Sequence, residues 1–284
     1  MKKRVLWILI LVCALSLCGC QTKEHTVTVT EQYVSGPPIV YEHAAYVLPQ
    51  APTERVSPNK VDCRILLYHD FSDTPPSEKR AGAVTTAQRF EQDICYILAQ
   101  GYSIVPLYRL AEYAAGMYEL PEKSVIITAD DGYVSNYTHM YPILQKYKVH
   151  ATIFVTVSTM GTDGKLTVEM MREMEQSGLV DIQSHSLAHR DQSTLTADRI
   201  IKETAVSFDL LENWLGEESC PMLAYPYGRY TEQSLTLVRE QGAVMQLTTD
   251  WSALNMESID LSALPRLTVS HYSDIGKLLN VPKK

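Results

Sequence analysis

The sequence predicts an α/β fold built on a parallel sheet, open or closed into a barrel. Beyond Asp62, strand-like and helical patterns alternate, and four polar clusters each fall directly after a strand-like run. Alternation at this spacing requires crossover connections and hence parallel strands. In α/β barrels the chemistry gathers at the C-terminal ends of the strands, so clusters at equivalent positions point to one site.

The candidate strands are residues 64–69, 102–105, 124–129, 151–157, 180–184, 222–225 and 244–248, with a short one at 267–269. Each is a run rich in β-branched or aromatic residues, bounded by polar or turn-forming ones. The candidate helices are residues 87–100, 107–116, 137–147, 167–177, 197–216 and 232–241. Gly101, Gly178, Gly216 and Gly242 stand where helices commonly stop, and Thr196 is the expected N-cap of the longest. The four clusters are Tyr68-His69-Asp70, Asp130-Asp131, His185 through His189, and Tyr225-Pro226-Tyr227-Gly228.

The N-terminus reads as an address. Lys2, Lys3 and Arg4 precede an apolar stretch over 5–17, too short for a membrane span, which needs roughly 20 residues. Leu17-Cys18-Gly19-Cys20 resembles a bacterial lipobox, with cleavage after Gly19 and lipid on Cys20. Cys18 is the poorer site, because bulky Leu17 would sit beside the cut. An ordinary signal peptide and an uncleaved anchor are the alternatives, and all three export the rest. Residues 20–60, rich in Thr, Pro, Glu and Tyr, read as a lipidated tether, leaving 61–284 as a single catalytic domain. Membrane contact is thus expected only through the anchor, on the outer face of the cell, with a monomeric protein.

Losing the leader leaves 22 basic residues against 33 acidic, a net of −11. Nucleic acid and anionic lipid reward basic surfaces, so neither is the expected partner, whereas a neutral glycan is compatible. Of the six cysteines, Cys13, Cys18 and Cys20 lie in the leader region. Cys63, Cys95 and Cys220 allow at most one internal disulfide and read mostly as core thiols.

The chemistry rests on two clusters. Thr128-Ala129-Asp130-Asp131-Gly132 delivers two carboxylates to a strand end, where one can bind a metal and the other move a proton. Taken alone, an acidic pair before glycine is often only a turn or a helix cap. His185 and His189, four residues apart, could likewise be ordinary core or surface histidines. Together the clusters supply two imidazoles and a carboxylate, a set that leaves metal positions open for water and substrate.

These motifs resemble those of the polysaccharide deacetylases, the family-four carbohydrate esterases with a NodB-homology domain. Thr128 through Gly132 is similar to their T-F-D-D-G motif, and His185 through His189 to H-[ST]-x-x-H. The resemblance runs from Asp62 to about Ser270 and implies a distorted (β/α)7-type barrel. It implies Asp130 as general base and Asp131, His185 and His189 as ligands of a divalent metal. Zinc is the first choice, with nickel, cobalt or manganese as alternatives.

The departures have a pattern. Ala129 stands where phenylalanine is usual, and Ala224-Tyr225-Pro226-Tyr227-Gly228 replaces the R-P-P-Y motif together with its base-orienting arginine. A late Leu264-Pro265-Arg266-Leu267-Thr268-Val269 replaces the leucine-rich strand ending in histidine. With Leu67-Tyr68-His69, these resemble the poly-N-acetylglucosamine deacetylases of the intercellular-adhesin type. That branch implies His69 as general acid, with His271 its rival, and Arg266 as the residue orienting Asp130. A backbone N–H near Tyr227 would assist the oxyanion, as donors worth about 3 kcal/mol do. Trp251 resembles the aromatic lining the acetyl pocket, although a core tryptophan reads equally well.

The function implied is a surface-anchored, metal-dependent hydrolase that removes N-acetyl groups from an N-acetylglucosamine-containing polysaccharide. Two alternatives use the same kit: an esterase acting on O-acetylated xylan or another glycan, and a glycan-binding lipoprotein that keeps the fold without turnover.

Overall fold

The computed structural model describes residues 61–216 and 220–282. The leader, Cys20 and the whole tether over 20–60 lie outside them. Among the described residues no helix is long and apolar enough to cross a membrane. The strands are β1 (Asp62–Tyr68), β2 (Asp70–Ser72), β3 (Val84–Thr86), β4 (Ser103–Ile104), β5 (Lys123–Asp130), β6 (Ala151–Val155), β7 (Val180–Ser184), β8 (Met222–Ala224), β9 (Met245–Leu247) and β10 (Leu267–Thr268). The helices are α1 (Ala87–Ala99), α2 (Arg109–Ala114), α3 (Tyr141–Tyr147), α4 (Val168–Gln176), α5 (Ala197–Leu215), α6 (Glu232–Glu240) and α7 (Ile275–Leu279).

The main sheet is wholly parallel, in the order β10-β1-β5-β6-β7-β8-β9, with β4 added beside the start of β5. It curls towards closure through one segment. Leu264 bridges to Leu247 of β9, and three residues later Leu267 pairs with Leu66 of β1. This is the distorted barrel of seven main strands that the sequence predicts.

Period-two alternation decides what each strand residue faces. In β5, Val125, Ile127 and Ala129 pack outward in the cluster shared with the helices. Ile126 turns inward with Phe154, Met222, Met245 and Leu264. Thr128 and Asp130 share the parity of Ile126, so the strand that carries the acidic pair aims Asp130 into the barrel. Both faces of β5 are buried, as a central parallel strand requires, and its β-branched run suits that environment. On the outer layer, α1 buries Phe90, Ile94 and Ile97 at helical spacing.

The structure corrects several local expectations. The small sheet of β2 and β3 and the five-residue helix α7 were not anticipated. Residues 137–147 are not one α-helix, because a π-helical turn over Asn136–Met140 precedes α3. Thr196 stands at the N-cap of α5, but its side chain makes no capping bond. Cys63 is a core thiol, pushed up to about 12 by burial, whereas Cys95 is exposed on α1.

Candidate active site

The clusters converge at the rim formed by the C-terminal ends of β1, β5, β7 and β8. Asp130, the last residue of β5, is only 2 % exposed. Arg266 meets it as a two-pronged fork, with Nη1 donating to Oδ1 and Nη2 to Oδ2, each at 2.7 Å. The guanidinium, itself 0 % exposed, also donates from Nε to the Thr248 carbonyl at 3.0 Å and lies 5.5 Å from the centre of the Phe154 ring. Such forks combine charge with fixed geometry. Burial alone would raise the Asp130 pKa; the charge and hydrogen bonds of Arg266, with the neighbouring His185 and His69 rings, outweigh it and hold the carboxyl below its ordinary range. Asp130 is therefore ionised at neutral pH.

At Asp131 the chain turns through a left-handed conformation, φ 74°, which parts the two neighbouring carboxylates. Asp131 Oδ1 lies 3.2 Å from His189 Nε2 and 3.6 Å from His185 Nε2. The three ligand atoms lie within 4.8 Å of one another. Ligands about 2.0–2.2 Å from a tetrahedral zinc stand roughly 3.3–3.6 Å apart, so the two separations from Asp131 Oδ1 suit such an ion. His185 is prepared for that role. Its Nδ1 lies 2.8 Å from the Ala224 carbonyl, which can only accept, so Nδ1 carries the proton and Nε2 presents a lone pair. Burial lowers the His185 pKa despite the two aspartates, which keeps the ring neutral. The Asp131 carboxyl falls well below its usual range, because the His189 hydrogen bond and the surrounding imidazoles outweigh burial.

His69 follows β1. Its ring lies near both aspartates, and its Nδ1 is buried without a hydrogen-bond partner. The backbone there is pinned by Asn136 Nδ2, which donates to the His69 carbonyl at 2.8 Å from the π-helical turn. His271 lies after β10, its backbone N–H bonded to the Ala81 carbonyl, and lines a cleft of about 400 Å³ with Asp73, Arg89 and Tyr272. Tyr227, φ 61° and 59 % exposed, sits with its ring 4.7 Å from that of His189. Trp251 is 52 % exposed beyond β9, so the core alternative for it does not hold.

Not every polar cluster residue reaches the rim. Tyr68 is buried against Phe90 and donates to Asp93 Oδ2 at 3.2 Å, beneath the site and not in it. Two neighbours of Asp131 were missed in the sequence. Lys165 Nζ donates to the Asp131 carbonyl at 2.9 Å and lies 3.6 Å over the Tyr133 ring. The Tyr133 hydroxyl is pushed up to about 12 by burial and by Asp131, to which it hydrogen-bonds. Tyr133 directly follows Gly132 and could have been suspected; Lys165 lies in a distant loop and carries no local signal.

Backbone strain concentrates here. Of the five non-glycine residues with positive φ among the described residues, Asp131, Ser186, His189 and Tyr227 belong to this rim. Such conformations persist where the surroundings over-determine them, commonly at functional sites.

Comparison with known proteins gives the same picture. Residues 118–245 match the family described as polysaccharide deacetylase. The chain is 32 % identical over 206 residues to the putative polysaccharide deacetylase YxkH of Bacillus subtilis, covering 72 % of this chain and 71 % of that one. It is 26 % identical over 194 residues to the poly-β-1,6-N-acetyl-D-glucosamine N-deacetylase of Staphylococcus aureus, covering 64 % and 66 %. Among solved structures, the Streptococcus pyogenes deacetylase PplD in complex with acetate superposes with a TM-score of 0.71 at 26 % identity, over 79 % of this chain and 99 % of that one. IcaB from Ammonifex degensii does so with 0.67 at 26 %, over 78 % and 96 %.

Proposed function

The chain belongs to the polysaccharide deacetylase family, and on that premise we propose that it removes N-acetyl groups from an N-acetylglucosamine-containing polysaccharide at the cell surface. One observation carries the reading: an ionised Asp130, clamped by Arg266, stands beside a three-donor set of Asp131, His185 and His189. The similarity to a poly-N-acetylglucosamine deacetylase over most of the chain supports the amide substrate.

Asp131, His185 and His189 would hold a divalent ion, with zinc the natural fit to two imidazoles and a carboxylate. Bound there, the ion would acidify water towards a pKa of about 7 and polarise an acetyl carbonyl. Asp130 accepts the proton as water attacks the carbonyl carbon, and Arg266 keeps its carboxylate oriented and charged. The backbone N–H of Tyr227 faces the carbonyl oxygen as negative charge develops on it. When the carbon–nitrogen bond breaks, His69 gives a proton to the departing amine. The products are acetate and a glucosamine unit with a free amine. Exposed Tyr227 and Trp251 offer ring faces to the sugar.

Lipid on Cys20 would hold the catalytic part outside the cell, with residues to about 60 as spacer. The function is tested by incubating zinc-loaded protein with N-acetylglucosamine oligomers and measuring free amine. Release well above an Asp130→Asn control is expected, and release no greater than that control refutes the reading. O-acetylated xylan assayed in parallel separates amide from ester preference.

A further inference from the structure

The loop from His185 to His189 carries both histidines, yet its conformation is not one its own sequence favours. Ser186 and His189 both occupy the left-handed region, at φ 64° and 53°, and neither is glycine. Something outside the loop must fix it, and the contacts lead to one side chain on α5.

Glu203 is 0 % exposed, at the centre of a 19-residue helix. Its Oε2 accepts from the Ala188 N–H at 2.8 Å, and its main-chain carbonyl accepts from the Leu187 N–H at 3.1 Å. These are consecutive amides between the two histidines. Its other oxygen, Oε1, is paired with Arg199 Nη2 at 2.9 Å, one turn earlier on α5, and lies 3.4 Å from Arg190 Nε. Arg190 directly follows His189, so Glu203 holds the chain on both sides of that histidine. One turn further along α5, Ser207 Oγ is 2.7 Å from Ser184 Oγ, which accepts from the Ser186 N–H at 3.1 Å.

A buried carboxylate is a costly way to stabilise a helix, since apolar residues of similar size commonly serve as well or better. A buried carboxylate that accepts from the Ala188 amide of a strained loop and faces Arg190 just beyond it instead specifies one conformation. We propose that Glu203 is a positioning residue for the metal-binding loop, setting the coil of residues 185–189 that brings His189 Nε2 to Asp131. It touches neither substrate nor ion and acts through the loop. The inference rests on the metal-site reading above. Groups that orient metal ligands from behind typically alter affinity 10- to 100-fold when removed.

The test is competitive zinc titration of the full-length chain, together with the visible absorption spectrum of the cobalt-substituted protein, which reports ligand geometry. Glu203→Met is expected to weaken zinc binding 10- to 100-fold and to change the cobalt spectrum. Glu203→Gln, which keeps an oxygen for the Ala188 amide but loses the charge, should fall between Met and wild type. Leu211→Ala, a core truncation two turns along the same helix, serves as the stability control. It should lower the melting temperature and leave zinc affinity and the cobalt spectrum unchanged. If Glu203→Met does not fold, Glu203→Gln decides alone. Wild-type affinity with an unchanged cobalt spectrum in Glu203→Gln overturns the proposal, as does weakening in Leu211→Ala equal to that in the Glu203 variants. A wild-type chain that binds no zinc overturns the metal-site reading itself, an outcome distinct from the other two.

Discussion

Replacing Arg266 by methionine removes the group that holds Asp130 ionised, and with it the base of the proposed mechanism. Methionine fills much of the arginine stem, but it deletes the charge, both 2.7 Å prongs and the bond to the Thr248 carbonyl. Asp130 is then a buried carboxylate facing no fixed cation, the situation in which breaking a buried pair costs about 3–5 kcal/mol. Counting each charge-assisted bond at about 1.5–3 kcal/mol gives the same range. For a domain of this size that is a fall in melting temperature of about 10 °C. The pH dependence has a definite sign. Burial is the largest influence on Asp130 and acts upwards, while Arg266 is the strongest of those opposing it. Without Arg266 the pKa rises, the ionised base is lost at higher pH, and the acid limb of kcat/KM moves upwards. Urea unfolding and kcat/KM profiles between pH 5 and 9 measure both effects. Arg266→Lys, which keeps a charge but a single point of contact, should lie between. A double-mutant cycle with Asp130→Asn should be non-additive by about 2 kcal/mol, since each single change leaves a buried partner unpaired. An Arg266→Met protein with a wild-type pH profile and a loss below about 1 kcal/mol, the scale of an exposed pair, refutes the reasoning.

Three further outcomes are expected. Asp93, raised to about 6 by burial against the pull of Arg89 and Tyr68, favours the fold when protonated. Its contribution, about 3 kcal/mol, is full below about pH 4 and lost as pH rises through 6, so Asp93→Asn should flatten urea-measured stability across that window. Gly228→Ala sets a Cβ 1.9 Å from Thr249 Oγ1 and 2.6 Å from its backbone nitrogen, at φ 67°. The turn carrying Tyr227 must then shift, and kcat should fall about 100-fold while circular dichroism keeps its α/β signature. Cys20→Ala should move the protein from the membrane fraction to the medium or a soluble fraction; unchanged membrane association argues against the lipid anchor.

The sequence disclosed the architecture wherever a physical signal was local. The β-branched run before Asp130 fixes a buried strand, and its end fixes the acidic pair, so β5 and its parity could be read from the residues. The same holds for β7 and His185. Elements this short left no pattern to read: β2 and β3 have three residues each, and α7 has five. The break at Asn136–Met140 is a change of hydrogen-bond register inside an otherwise helical pattern, invisible to periodicity. Within the site, Arg266 was legible only by family resemblance, because nothing in Leu264-Pro265-Arg266 indicates a partner far back in the chain. Nothing in the sequence distinguishes Glu203 from the other carboxylates of its helix. Its burial follows from where the His185–His189 loop folds back, which is a property of the tertiary structure alone.

The most direct measurement sets zinc stoichiometry beside amine release for wild type, Asp130→Asn and Asp131→Asn. One zinc per chain is expected in wild type and in Asp130→Asn, with amine release only from wild type, and neither zinc nor release in Asp131→Asn. Loss of zinc from Asp130→Asn, or an Asp131→Asn protein that keeps its zinc and releases amine, contradicts the division of labour between the two carboxylates.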